Sequence, residues 1–239
     1  MKKNAIITAA CAILGTLGVL EGCGQKDNEL MNYIDNWYGD ADPSNCRPPE
    51  YYLEKTAQFA AQPVNEGCIV LLGDSITDFG EWDKILPGRN ILNRGIAGDQ
   101  IEGMILRLDE IVRHNPSKIY LLAGTNNFVK HSAATSASVL PVYEKMVALL
   151  RSKMPCCAII LESILPQNPV SSDWTDHYNA DVAAMNLCIK DLAEKYGCTY
   201  LDIASALTDS AGNLRLDCTT DGCHLNDQGF TLWAAVLGL

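Results

Sequence analysis

Along the chain, short apolar runs alternate with longer stretches in which apolar side chains return every three or four positions. The runs lie at Cys68–Leu72, Asn90–Asn93, Lys118–Ala123, Ala158–Glu162 and Thr199–Asp202, each bounded by Gly, Pro, Asn or a charge, and they predict five strands. Between them Ile101, Ile105, Leu108, Ile111 and Val112 keep helical spacing, as do Val142, Met146, Leu149 and Leu150. Asp181 to Tyr196 carries Val182, Met185, Ile189 and Leu192 on one stripe, and Asn226 to Leu239 closes the chain as a last helix. Strands that alternate with helices make an α/β fold whose parallel sheet is covered by the helices. Ligands of such sheets sit beyond the C-terminal strand ends, so chemistry is sought in the residues that follow each strand.

The N-terminus stands apart from this pattern. Lys2 and Lys3 precede an uncharged run from Ala5 to Leu20, which predicts an export signal over residues 1–22. Leu20-Glu21-Gly22-Cys23 resembles a lipobox, so Cys23 is the expected lipidation site and a membrane-anchored lipoprotein the expected form; Glu21 departs from the small residue usual there, and a secreted protein is the alternative. Residues 23–65 read as an N-terminal arm and linker, loosest from Gly39 to Pro49, and residues 66–239 as one domain.

Charge and cysteines narrow the partners. With 18 Lys and Arg against 29 Asp and Glu, the net charge of −11 opposes phosphate backbones, and nucleic acid is excluded as a partner. Of ten cysteines, Cys68, Cys156 and Cys157 adjoin apolar strands and are expected to stay unpaired. Cys218 and Cys223 flank the turn Thr219-Thr220-Asp221-Gly222 and are the expected disulfide.

The post-strand segments hold the candidate chemistry. Ser75, in Gly73-Asp74-Ser75-Ile76, stands where the first strand gives way to a helix, a place for a helix cap or for an exposed nucleophile. After the second strand, Asn93 to Asp99 contains Gly98, where the missing Cβ lets a backbone N–H approach a substrate oxygen. Gly124-Thr125-Asn126-Asn127 follows the third strand, and the Asn126 amide is either a donor to an oxyanion or a turn stabiliser. Asp221 precedes His224 by three residues, near enough to fold back on the imidazole; a surface histidine in an Asp-Gly turn is the plainer reading.

Taken together, these four segments, in this order, resemble the GDSL or SGNH hydrolase superfamily from about Cys68 to Asn226. The resemblance implies a three-layer α/β/α flavodoxin-like sandwich around a five-stranded parallel sheet. It implies Ser75 as nucleophile, His224 as general base and then acid, and Asp221 as the residue that orients His224. An oxyanion hole of the Ser75 and Gly98 N–H groups and the Asn126 side chain would complete the site, with no metal or organic cofactor. Ile76 stands where the family name has Leu, and Asn127 where Asp is commoner, a variation shared with the branch that resembles platelet-activating-factor acetylhydrolase subunits.

That branch, with its carbohydrate O-acetylesterases, makes an exported serine esterase for short acyl groups, above all acetyl on a glycan, the expected function. A lysophospholipase or thioesterase of the same fold is the alternative, followed by a non-catalytic glycan-binding lipoprotein. Cys218, Cys223 and His224 lack the spacing of haem attachment or of a zinc site. His114, His131 and His177 are expected in structural or surface roles, and Asp74 and Asp99 as loop organisers. Glu162 ends a strand without an assigned role, while Trp82, Trp174 and Tyr178 are read as packing residues with an acceptor groove as the other option.

Overall fold

The computed structural model describes residues 23–38, 49–130, 134–170 and 178–239. The export segment, Cys46, His131, Trp174, His177 and most of the 39–49 linker lie outside them.

Five parallel strands form one sheet: β1 (Ile69–Gly73), β2 (Ile91–Gly95), β3 (Lys118–Leu122), β4 (Ala158–Glu162) and β5 (Thr199–Leu201). Their order β2-β1-β3-β4-β5 is that of a flavodoxin-like doubly wound sheet, whose connections leave β1 and β3 in opposite directions and open a crevice between the two strand ends. Successive strand side chains face opposite layers. Val70, Leu72, Ile119, Leu121, Ile159 and Leu161 face one apolar core, and Leu71, Tyr120, Leu122 and Ile160 face the other. Burial on both faces is the reason β1, β3 and β4 read as continuous apolar runs.

The first core is closed by α5 (Ile101–Leu106), α6 (Leu108–Val112), α8 (Ser136–Lys153) and α9 (Tyr178–Lys195). The second is closed by α3 (Ser75–Asp78), α4 (Trp82–Ile85), α10 (Ala204–Leu207) and α11 (Asp227–Leu237), with α7 (Thr125–Lys130) following β3. Caps fix several helix starts: Thr135 and Ser138 form a capping box on α8, and the Asn226 side chain accepts from the Gly229 N–H on α11.

Two expectations are corrected. The stripe from Ile101 to Val112 is two helices, because Arg107 leaves helical geometry and turns its guanidinium inward, to the Asp99 carboxylate at 3.0 Å and the Gly73 carbonyl at 3.3 Å. Cys218 and Cys223 are both free thiols. Cys218 lies in the second core with its thiol donating to Asp217 at 3.6 Å, whereas the Cys223 sulfur accepts from the Gln167 amide at 3.5 Å, so the turn sends the two sulfurs to different surroundings. Cys68 and Cys157 are buried and unpaired.

The arm is helical, with α1 (Cys23–Tyr38) and α2 (Pro49–Ala61). Leu30, Tyr33, Ile34, Tyr52, Leu53 and Phe59 gather over Ile96 in a third apolar cluster, which attaches the arm to the segment that follows β2.

Candidate active site

Ser75 is the first residue of α3, and the Asp74 side chain caps that helix by accepting from the Ile76 N–H at 3.0 Å. At the opposite end of the domain sequence, Thr219 and Leu225 pair as an antiparallel bridge that closes a tight loop. The His224 carbonyl accepts from the Thr219 hydroxyl at 2.7 Å and from the Thr220 N–H at 3.0 Å, and Gly222 turns the chain at φ +87°. The chain after β4 braces this loop, since the Asn168 N–H donates to the Gly222 carbonyl at 2.8 Å.

That loop carries His224 to Ser75. The His224 Nε2 lies 2.9 Å from Ser75 Oγ, and its Nδ1 lies 2.6 Å from Asp221 Oδ2. The other Asp221 oxygen accepts the N–H groups of Cys223 at 2.9 Å and His224 at 2.7 Å. Burial acts to raise the Asp221 pKa, but the hydrogen bonds from the His224 ring and the two backbone N–H groups outweigh it and hold the carboxyl below its ordinary range. A carboxylate on Nδ1 keeps the proton there and leaves the Nε2 lone pair for the serine hydroxyl.

Beside Ser75 the segments after β1, β2 and β3 are tied together. Ile96 N–H donates to the Gly73 carbonyl at 3.1 Å, and Ala97 N–H donates to Asp78 on α3 at 2.9 Å. Gly98 follows with φ +81°, in the left-handed region that a side chain would strain. The Asn126 Nδ2 donates to the Asp99 carbonyl at 2.9 Å, and one amide hydrogen on that nitrogen is left over. Asn127 joins the same two segments: its Oδ1 accepts from Ile101 N–H at 3.2 Å at the start of α5, and its Nδ2 donates to Glu102 at 2.8 Å. The segments that follow β1, β2 and β3 are thus tied side by side next to the Ser75, His224 and Asp221 chain.

Buried acids surround it. Burial raises the Asp74 pKa to about 7, against the pull of the Ile76 N–H and of His224, and Asp74 Oδ2 has no hydrogen-bond partner among the described residues. Burial likewise raises Asp99 to about 6, with Arg107 and Tyr33 opposing it. Both sit in the loops as organisers, Asp74 as a cap and Asp99 as a node. Among the described residues no three His, Cys, Asp or Glu side chains converge as a metal site.

Other residues singled out in the sequence are distributed differently. Trp82 is buried against Trp233 and Phe230, and Tyr178 is buried with its hydroxyl donating to the Leu165 carbonyl at 3.2 Å, so both pack the interior. Glu162 is buried too and accepts from the Trp233 indole N–H at 2.7 Å. His114 is buried beside Glu110 and Arg94. The residue the sequence did not single out is Phe79, at the end of α3: its ring lies 5.2 Å from the His224 ring and is 41% exposed. It also lines an open cleft of about 1240 Å³ with Lys84, Thr220, Asn226, Gln228 and Phe230. Its place four residues after Ser75, one helical turn on, is the signal that was available.

Residues 71–232 match the GDSL-like Lipase/Acylhydrolase family. Among solved structures, the chain is similar to a Streptococcus pneumonia protein described as a platelet activating factor, at 25% identity and a TM-score of 0.68, over 87% of this chain and 94% of that one. A GDSL-like lipase from Bacteroides thetaiotaomicron shares the fold at 20% identity and a TM-score of 0.66, over 78% and 95% of the two chains. So does a variant of an acetyl-xylooligosaccharide esterase from Geobacillus Stearmophilus, at 17% identity and a TM-score of 0.56, over 74% and 94%. A search of curated proteins found no match.

Proposed function

Because this chain belongs to the GDSL-like lipase/acylhydrolase family, whose members act on ester bonds, we propose that it is a serine esterase that removes short acyl groups, acetyl above all, from a glycan. The hydrogen-bonded chain from Ser75 through His224 to Asp221 is the observation that carries this reading.

In the proposed reaction Ser75 Oγ attacks the ester carbonyl carbon while its proton passes to His224 Nε2. The tetrahedral oxygen takes hydrogen bonds from the N–H groups of Ser75 and Gly98 and from the remaining amide hydrogen of Asn126, donors fixed before the charge develops. Collapse breaks the bond to the alcohol, which leaves with the proton from His224, and an acyl-Ser75 ester remains. Water then gives a proton to His224 and attacks the acyl carbon, and the acid departs as the proton returns to Ser75. Asp221 holds the ring tautomer and balances the imidazolium in both halves.

The glycan half of the proposal is supported by Phe79, a half-exposed ring against the base, in a cleft that mixes rings with amides and charges. The acetyl-xylooligosaccharide esterase among the structural neighbours adds a precedent for such a substrate on this fold. Export and lipid attachment at Cys23 belong to the same proposal and rest on residues 1–23. Mass spectrometry of the exported protein tests them: an N-terminal diacylated Cys23 supports the anchor, and an unmodified Cys23 overturns it.

Activity is tested on protein without residues 1–22, by acid release from p-nitrophenyl acetate, butyrate and octanoate and from an acetylated oligosaccharide, with Ser75→Ala as control. Hydrolysis that needs Ser75 and declines with chain length supports the acetylesterase. Equal or faster octanoate turnover points to a lysophospholipase or thioesterase, and no Ser75-dependent hydrolysis to a glycan-binding role.

A further inference from the structure

Asp99 is the node on which two of the proposed oxyanion donors depend. It follows Gly98 directly, so any movement of its backbone moves the Gly98 N–H. Its carbonyl accepts the Asn126 amide at 2.9 Å, which sets the direction of the remaining amide hydrogen. Its own N–H returns to the Ile96 carbonyl at 3.0 Å, which closes the turn in which Gly98 takes φ +81°.

Two groups grip the Asp99 side chain. Arg107, from the break between α5 and α6, holds one oxygen at 3.0 Å. Tyr33, from arm helix α1, donates its hydroxyl to the other at 2.9 Å, and the same hydroxyl accepts from the Gln100 N–H at 3.2 Å. Tyr33 thus bonds to both residues that follow Gly98.

The fit around Tyr33 is built for a ring with a hydroxyl. Gly103 lies beneath it, and a Cβ there would stand 2.6 Å from the ring carbon that bears the oxygen. Tyr52 tilts against the ring at 5.5 Å and donates its own hydroxyl to the Gly103 carbonyl at 2.8 Å. Helix α2 makes a parallel attachment one step earlier: Tyr51 and Lys55 each reach Asp78 at 2.6 Å, and Asp78 receives the Ala97 N–H. The arm lies outside residues 71–232, the stretch that matches the family.

We propose that Tyr33 is a positioning residue for the oxyanion hole, and that the N-terminal arm is thereby a working part of the catalytic site. The inference rests on the esterase reading above, in which Gly98 and Asn126 bind the tetrahedral oxygen. Tyr33 touches no substrate; it acts through Asp99.

Tyr33→Phe keeps the ring and removes the hydroxyl. The expected result on p-nitrophenyl acetate at pH 8 is a kcat lowered roughly tenfold with KM unchanged, since the loss falls on transition-state binding. At pH 6 the loss is larger. The groups facing Asp99 are Arg107, Tyr33, the Gln100 N–H and the nearby Asp74, and without the phenol donor Asp99 takes up its proton at higher pH and loosens its hold. In an Asp99→Ala background, where position 99 offers the phenol no partner, Tyr33→Phe lowers kcat by less than about twofold. Leu30→Ala, which thins the same helix contact without touching this network, lowers the melting temperature and leaves kcat within about twofold, as expected for packing alone.

The proposal is overturned if Tyr33→Phe matches the parent in kcat at both pH values, if kcat and KM change together, or if its effect persists in full beside Asp99→Ala. A parent enzyme without Ser75-dependent hydrolysis overturns the esterase reading instead, so the two failures are distinguishable.

Discussion

Asp221 meets His224 twice, through its Oδ2 on the ring Nδ1 at 2.6 Å and through its Oδ1 on the backbone N–H at 2.7 Å. The second contact fixes the carboxylate so that the first has one direction. In Asp221→Asn the backbone contact persists through the amide oxygen, while an amide N–H directed at Nδ1 favours the tautomer protonated on Nε2. That tautomer cannot accept the serine proton. Steady-state kinetics on p-nitrophenyl acetate should show kcat lower by about 10³–10⁴ with the fold intact by circular dichroism.

In the proposed glycan reaction, Phe79, with its ring 5.2 Å from that of His224, is the ring that the sugar meets. Phe79→Ala should lower the ratio of kcat/KM on an acetylated xylooligosaccharide to that on ethyl acetate roughly tenfold, the size of one lost ring contact. The comparison avoids aromatic esters, whose leaving group would itself stack. An unchanged ratio would remove Phe79 from the acceptor site.

Asn127 donates its amide N–H to the Glu102 carboxylate at 2.8 Å. Asn127→Asp keeps the acceptor for Ile101 N–H but sets two carboxylates against each other. A loss of about 1–2 kcal/mol is expected at pH 7, seen as a lower denaturation midpoint, and Glu102→Gln in the same chain should restore it.

Glu162 makes stability fall with rising pH. Burial raises its pKa to about 8, with the Trp233 N–H opposing, against 4.5 for an unhindered glutamate. Below about pH 4.5 both folded and unfolded chains hold the proton, and the group contributes no penalty. Between there and about pH 8 the unfolded chain releases a proton that the folded chain retains, so stability drops by up to about 1.4 kcal/mol for each pH unit. Glu162→Gln keeps an acceptor for Trp233 and removes the titration. Urea midpoints of variant and parent should therefore diverge in the variant's favour from pH 5 to pH 8.

The centre of the sheet was legible in the sequence because β1, β3 and β4 are covered on both faces, which turns each into an apolar run with polar ends; Ala158–Glu162 agrees at both ends. The segments after those strands were legible because the parallel topology puts them on one edge. Arg107 was not, since an apolar stripe continues through it and only its buried partners reveal the break. Tyr33 lies in a segment without a motif, and its partner Asp99 is 66 positions away. The Cys218 and Cys223 expectation failed because a plausible turn says nothing of which way each sulfur points.

Ser75 and His224 are 149 positions apart, and the loop that unites them is held by residues that follow β4 and by the start of α11. A chain still being synthesised, with β1 to β4 complete, has its serine and none of its base. Reactivity therefore arrives late and all at once, when the final segment docks. If the chain is exported as proposed, threading it unfolded would carry no working esterase on the near side of the membrane.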